Sequence, residues 1–315
     1  MAEDTFIEPV RVNFENIQGP LKCLAETIAQ KMYREVPNLI AAPAYLGPTL
    51  FTMIRQAMYT YDLLFYLHAD ERRENDCHWK PAYTFSSAPL VRSLIDCLFN
   101  TTLILEDPSA NIAVYCKSGF KKEFKDLNED KARYGDREEW KPYFENKKSK
   151  LSLALRQYGF AEAEVRASKP WPTLGGYLSE KGPGNSMTPH QVFLKTFTYG
   201  MWREYSAMAH GGFEGLLDSV SFYTRDAIPR DQHARMDEIY ERLMSLHMGR
   251  VAIIMLCVVT EVQAYFRFTD ANINARIFRL WDRLIPLFEA KEIYDERYRQ
   301  LMIDRGIRDN LQYVG

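Results

Sequence analysis

SSAPLVRSLIDCLFNTTLIL, residues 86–105, is the stretch whose reading decides the fold class. Ser87 stands where an N-cap belongs, Pro89 lies just inside the start, and Leu90, Leu94, Cys97 and Leu98 return on one face at helical spacing. The segment therefore reads as a central helix. Its polar residues are also in phase: Arg92 and Asp96 are four apart, and Asn100 falls on the same side. An ordinary intrahelical ion pair is the plain reading. With Leu90, Leu94 and Leu98 crowded around it, partial burial follows, and the pair then needs a polar partner such as Tyr199 or Ser206. This stripe reads as support for a site.

Working outward, the same period recurs on both sides. Leu21, Leu24, Ile28, Met32 and Val36 precede Pro37 and predict a first helix of about four turns. Pro43 and Pro48 break the chain, and Leu50, Met53, Ile54, Ala57, Tyr61, Leu64 and Phe65 then predict a second helix running toward His68. Beyond the central helix, Ile112, Cys116, Phe120, Phe124 and Leu127 mark a fourth, and Trp140, Phe144, Lys147, Leu151 and Leu155 a more polar fifth. Residues 168–188, rich in Pro and Gly, read as a long ordered loop. A helix follows from Pro189, capped by Thr188, to a stop at Gly211 and Gly212. The remainder, about 231–268 and 272–306, is helical by the same criterion, with Pro286 as a kink. No alternating run bounded by hairpin turns, βαβ rhythm or solenoid repeat appears. The expectation is an all-α, irregular multi-helix bundle in one domain with its core at about 49–268.

Composition bounds the function. In 315 residues, 40 Lys and Arg stand against 42 Asp and Glu, a formal net charge of -2, so no whole-chain field gathers nucleic acid and any anion site is local. Five cysteines at wide spacing (Cys23, Cys77, Cys97, Cys116, Cys257), with no CxxC pair, read as reduced thiols of a cytoplasmic protein. The start, MAEDTFIEPV, is acidic where an export signal needs a basic patch. The most apolar run, residues 251–259, is closed by Glu261 and falls short of the roughly 20 residues that span a bilayer, so it reads as a buried helix and no membrane is expected. Cys77 and His78 lack further ligands at metal spacing, and His233 and His247 lack an acidic companion; no zinc site or cofactor is proposed. There is no GxGxxG, Walker loop or GxSxG elbow, and GPGNS at 182–186 reads as a turn.

One segment carries candidate chemistry: TPHQVFLKTFTYGMWREYSAMAHGG, residues 188–212. Tyr199, Arg203, Ser206 and His210 are spaced four, three and four apart and project from one helical face. Arginine offers a planar fork of donors suited to phosphate or carboxylate, and histidine gives and takes protons near neutrality. At the last turn the helix dipole favours an imidazolium. The plain alternative pairs Arg203 with a carboxylate such as Asp96, bonds Ser206 back to the helix and lets His210 satisfy terminal carbonyls.

Arg203, six intervening residues and His210 resemble the Arg-x(4–6)-His signature of the HEPN superfamily, helical proteins that include metal-independent ribonucleases of toxin and antiviral systems. YGMWREYSAMAHGGF, preceded by a helix of the SAPLVRSLIDCLFN type, also looks like a bacterial family of helical proteins with a Tyr-Ser-x-x-x-His core. The resemblance implies an RNA substrate cut through its own 2′-hydroxyl, with Arg203 on the scissile phosphate, His210 as acid or base, no metal, and a homodimer. Where HEPN nucleases commonly carry Asn, Asp or His after the arginine, Glu204 stands here. Two other functions fit the same stripe: a non-catalytic helical scaffold or binding protein, and a helical enzyme acting on a small phosphorylated substrate in a closed pocket.

Overall fold

Apolar periodicity becomes helix throughout. The computed structural model describes residues 14–39, 43–68, 87–179, 187–210 and 229–304, and among these no strand occurs. In chain order the helices are α1 (Glu15–Arg34), α2 (Val36–Leu39), α3 (Leu46–His68), α4 (Ala88–Glu106), α5 (Pro108–Tyr134), α6 (Lys141–Tyr158), α7 (Glu162–Ala167), α8 (Leu174–Ser179), α9 (Pro189–Phe193), α10 (Tyr199–Ala209), α11 (His233–Phe266), α12 (Ala271–Leu284), α13 (Phe288–Ile293) and α14 (Arg299–Asp304). Two π-turns, Leu194–Thr198 and Tyr294–Tyr298, carry α9 into α10 and α13 into α14.

Helix α4 is central, packed against α3, α10 and α11. Val91, Leu94, Ile95, Leu98 and Phe99 are buried, and so are Thr101 through Leu105, because the helix is apolar around most of its girth in its second half. Its main partner, α11, buries every residue from Val251 to Ala264. The apolar part of α11 is longer than residues 251–259: Met244–Phe266 and Ala88–Glu106 are both long and apolar enough to cross a membrane, and 83% and 61% of those windows are covered by the rest of the protein. Helix α1 lies across α3 through Leu21, Leu24 and Ile28. Gly47 permits the close approach where they meet, since a Cβ there would sit 2.8 Å from the Met32 carbonyl oxygen. A smaller apolar cluster of Phe124, Leu127, Phe144, Leu151, Leu155 and Val165 joins the far part of α5 to α6 and α7. Gly159, at φ 70°, ends α6 in the left-handed conformation that glycine adopts without strain.

Four local expectations change. The first helix begins at Glu15, admitting Pro20 in its second turn. The 168–188 segment contains α8, anchored by Trp171, whose backbone N–H donates to Ser118 Oγ and whose indole donates to Asn100 Oδ1, both at 2.8 Å. Pro286 sits in a break between α12 and α13, where a missing N–H and ring sterics stop a helix more readily than they bend it. Ser87 holds the N-cap position of α4 without capping it, because its hydroxyl is engaged by His247. Thr188 does cap α9, in a reciprocal capping box with Gln191. Cys77, His78, the 182–186 turn and the Gly211–Gly212 stop lie outside the described residues.

Candidate functional site

Two helices supply the polar residues singled out in the sequence. Helix α4 carries Arg92, Asp96 and Asn100; α10 carries Tyr199, Arg203, Ser206 and, at its C-cap, His210. The two pack directly against each other. The π-turn before Tyr199 inserts extra backbone into the 188–210 helix, so the phase of α10 relative to α9 departs from that of one uninterrupted helix.

Arg92 and Asp96 do not form the intrahelical ion pair that their spacing suggests. The Arg92 guanidinium reaches across to α10 instead, where Nη1 donates to Nε2 of His210 and the guanidinium lies 5.1 Å from the Trp202 ring centroid. With Nε2 accepting, the imidazole proton belongs on Nδ1. Asp96 is half-buried one turn further along α4. Burial pushes its carboxyl above the ordinary carboxylate range, and the Arg92 charge and a hydrogen bond from Trp202 offset this only in part. Trp202, which no motif singled out, thus meets Arg92 and acts on Asp96. Tyr199 stacks on it at 5.8 Å, 18° from parallel.

The α10 stripe itself divides. Arg203 and His210 are exposed, whereas Ser206 places its Oγ in the interior with no hydrogen-bond partner, and Tyr199 is half-buried. Arg203 does not pair with Asp96, Ser206 does not bond back to its helix, and His210 bonds to Arg92 in place of terminal carbonyls. Glu204 is turned away from Arg92 and His210 chemically: Arg250 on α11 takes it at 2.7 Å through Nη1, while gripping Glu289 through Nε and Nη2 at 2.7 to 3.0 Å. A helical step of about 100° places position 204 on a different side from 203. The carboxylate next to Arg203 is therefore engaged by Arg250, which it shares with Glu289.

Two further polar networks were not legible in the sequence, and both are closed. On the inner face of α10, Tyr205 OH lies 2.9 Å from His247 Nδ1, and Ser87 Oγ lies 3.2 Å from Nε2. Each ring nitrogen thus meets a hydroxyl able to donate or accept. Burial raises the Tyr205 phenol above its ordinary value, so it stays protonated. Farther along α11, Glu261 receives Arg297 through Nε at 2.5 Å and Nη2 at 2.8 Å, and Tyr298 OH at 3.0 Å. All three are at most 8% exposed. The bonds join positions 36 and 37 residues apart, so no local spacing announces them.

Among the described residues no group of three His, Cys, Asp or Glu side chains could hold a metal ion. Cys23, Cys97, Cys116 and Cys257 are free thiols, and burial pushes Cys97 and Cys257 up to about 12, far from reactive thiolates. Comparison with protein-family models, curated proteins and solved structures finds no match.

Proposed function

We propose that the α4–α10 face binds RNA and cleaves it without a metal, with Arg92 and Arg203 holding phosphates and His210 moving the proton. One observation carries this reading: the exposed His210 imidazole is bonded to a guanidinium from another helix rather than to an acceptor of the protein. An arginine next to a histidine is poorly explained as packing, because both become donors once the imidazole is protonated. An incoming phosphate oxygen satisfies the two at once. Trp202 and Tyr199 beside them offer ring faces for unstacked bases.

In this scheme His210 Nε2, the acceptor in the Arg92 bond, takes the 2′-hydroxyl proton. The 2′ oxygen attacks phosphorus, the bond to the 5′ oxygen breaks, and the products are a 2′,3′-cyclic phosphate and a 5′-hydroxyl whose proton comes from water. Arg92 neutralises charge gathering on the phosphoryl oxygens. Relative to the family resemblance, the scissile phosphate passes from Arg203 to Arg92, and Arg203 contacts a neighbouring phosphate. A homodimer that brings two such faces together belongs to the same proposal.

Purified protein incubated with total RNA in chelator tests it. The expected products carry cyclic phosphate ends, and His210→Ala lowers the rate by about 10²- to 10⁴-fold. Cleavage undiminished in that variant, or absent from the wild type, removes the nuclease assignment and leaves a non-catalytic helical binding protein.

A further inference from the structure

Where α3 faces α4, the side chains are the wrong kind to fill a core. Helix α3 offers Gln56, Ala57 and Thr60, and α4 offers Ser93, Asp96 and Asn100, each set at helical spacing along one ridge. The α1–α3 contact, by contrast, is closed by leucine and isoleucine. Small and polar residues on both ridges leave a cleft of about 190 Å³, lined also by Met53, Cys97 and Tyr115. That volume lies between the roughly 150 Å³ cavity that admits a benzene ring and the roughly 300 Å³ at which drug-sized sites begin. It suits one planar ring system.

The polar groups in the cleft are fixed in role. Asn100 Oδ1 accepts the Trp171 indole N–H, which sets the orientation of the amide and leaves its NH₂ as the free donor. Trp171 is itself held edge-on to Tyr115, with ring centroids 5.2 Å apart at 84°. Asp96, four residues before Asn100, supplies an acceptor at a neighbouring position on the same face, with Cβ atoms about 5–6 Å apart. The cleft therefore presents a carboxylate beside an amide donor, with an aromatic ring in its lining. Asp96 also connects it to the α4–α10 face, since Arg92, one turn earlier on α4, holds His210.

We infer that this cleft is a nucleobase subsite, and that it takes guanine. Guanine alone among the four RNA bases sets two adjacent N–H donors, N1–H and N2–H₂, next to a carbonyl oxygen. The Asp96 carboxylate accepts from both donors, and the Asn100 amide donates to O6. Adenine and cytosine turn a ring nitrogen acceptor toward the carboxylate, and uracil offers a single donor. The inference rests on the RNA reading for its ligand class, but its test does not require cleavage.

The four nucleoside 5′-monophosphates, titrated separately into the full chain and followed by calorimetry and tryptophan fluorescence, decide it. GMP binds saturably and about tenfold or more tightly than AMP, CMP or UMP. Asp96→Asn, which turns one carboxylate oxygen into a donor, removes that preference. Ser93→Leu fills the cleft from its exposed rim and abolishes GMP binding without lowering the melting temperature. The subsite is overturned by absence of saturable GMP binding, by equal binding of all four, or by wild-type affinity in Ser93→Leu. GMP binding in a protein that leaves RNA intact upholds the subsite and removes the nuclease. RNA cleavage without GMP binding does the reverse.

Discussion

Arg92 and Arg297 are the same side chain in opposite circumstances. Arg297 is buried against Glu261 and Tyr298 and covered by the Phe193 ring 4.6 Å away. Burial alone would lower its pKa; the Glu261 carboxylate more than offsets this and holds the guanidinium firmly charged. Arg92 lies against an exposed imidazole and an indole, and its charge acts on the half-buried Asp96 carboxyl on its own helix. A guanidinium gripped by a buried carboxylate through two of its nitrogens holds helices together. One that meets a neutral imidazole and a ring face keeps donors for an external anion under the proposed function. Under the proposed function, the partner rather than the residue type separates the arginine that joins helices from the one that meets phosphate.

The contrast can be broken at either end. The largest effect belongs to Glu261→Ala, which strands the Arg297 charge in the interior and costs about 3–5 kcal/mol in urea unfolding. Combining it with Arg297→Met recovers most of that loss, because the expensive state is a charge without its partner. Arg92→Ala is expected to lower RNA cleavage by about 10²- to 10³-fold while moving stability by no more than about 0.5 kcal/mol, measured on the same preparation. A stability loss as large as that of Glu261→Ala would make the two arginines equivalent and dissolve the comparison.

Tyr205→Phe tests the second closed network. It leaves one nitrogen of the buried His247 without its hydroxyl and should cost about 1–3 kcal/mol, read as a shifted unfolding midpoint with RNA cleavage kept. Arg203→Ala is milder. RNA binding weakens across sequences, and the slope of log affinity against log salt falls by about one, as for the loss of a single phosphate contact.

The smallest effect is a pH dependence at Asp96. Its folded pKa is raised by burial, so the folded state holds the proton more tightly than the unfolded chain does. The burial penalty is absent below the ordinary carboxylate range and complete once pH has risen through the raised value. Wild-type melting temperature should therefore fall relative to Asp96→Asn on going from about pH 4 to about pH 7. The opposite slope would mean that Arg92 outweighs burial, making Asp96 an ordinary ion-pair partner.

Helix positions were legible because they depend on neighbours three and four residues away. Leu21 to Met32, Leu50 to Phe65 and the cap at Thr188 became what their spacing announced. The candidate residues were legible only as a list. His210 and Arg203 face solvent as a catalytic reading needs, yet the Oγ of Ser206 from the same stripe is buried, because α10 packs against α4 and one edge of that face is covered. Trp202 and Tyr205 went unread since an aromatic at helical spacing is ordinarily core, and nothing local marks which one meets a charge.

From the chain of amino acids alone came the all-helical class, the burial of the 251–259 run, and the placement of Arg203 and His210 along one helical segment. Short-range sterics and apolar periodicity are sufficient for such statements. Only the folded molecule joined Arg92 to His210, 118 residues away, seated Glu204 on Arg250, and closed Glu261 around Arg297. Those contacts follow from how helices cross. Crossing is set by the shapes of whole buried faces meeting at once, a property that no window of sequence contains.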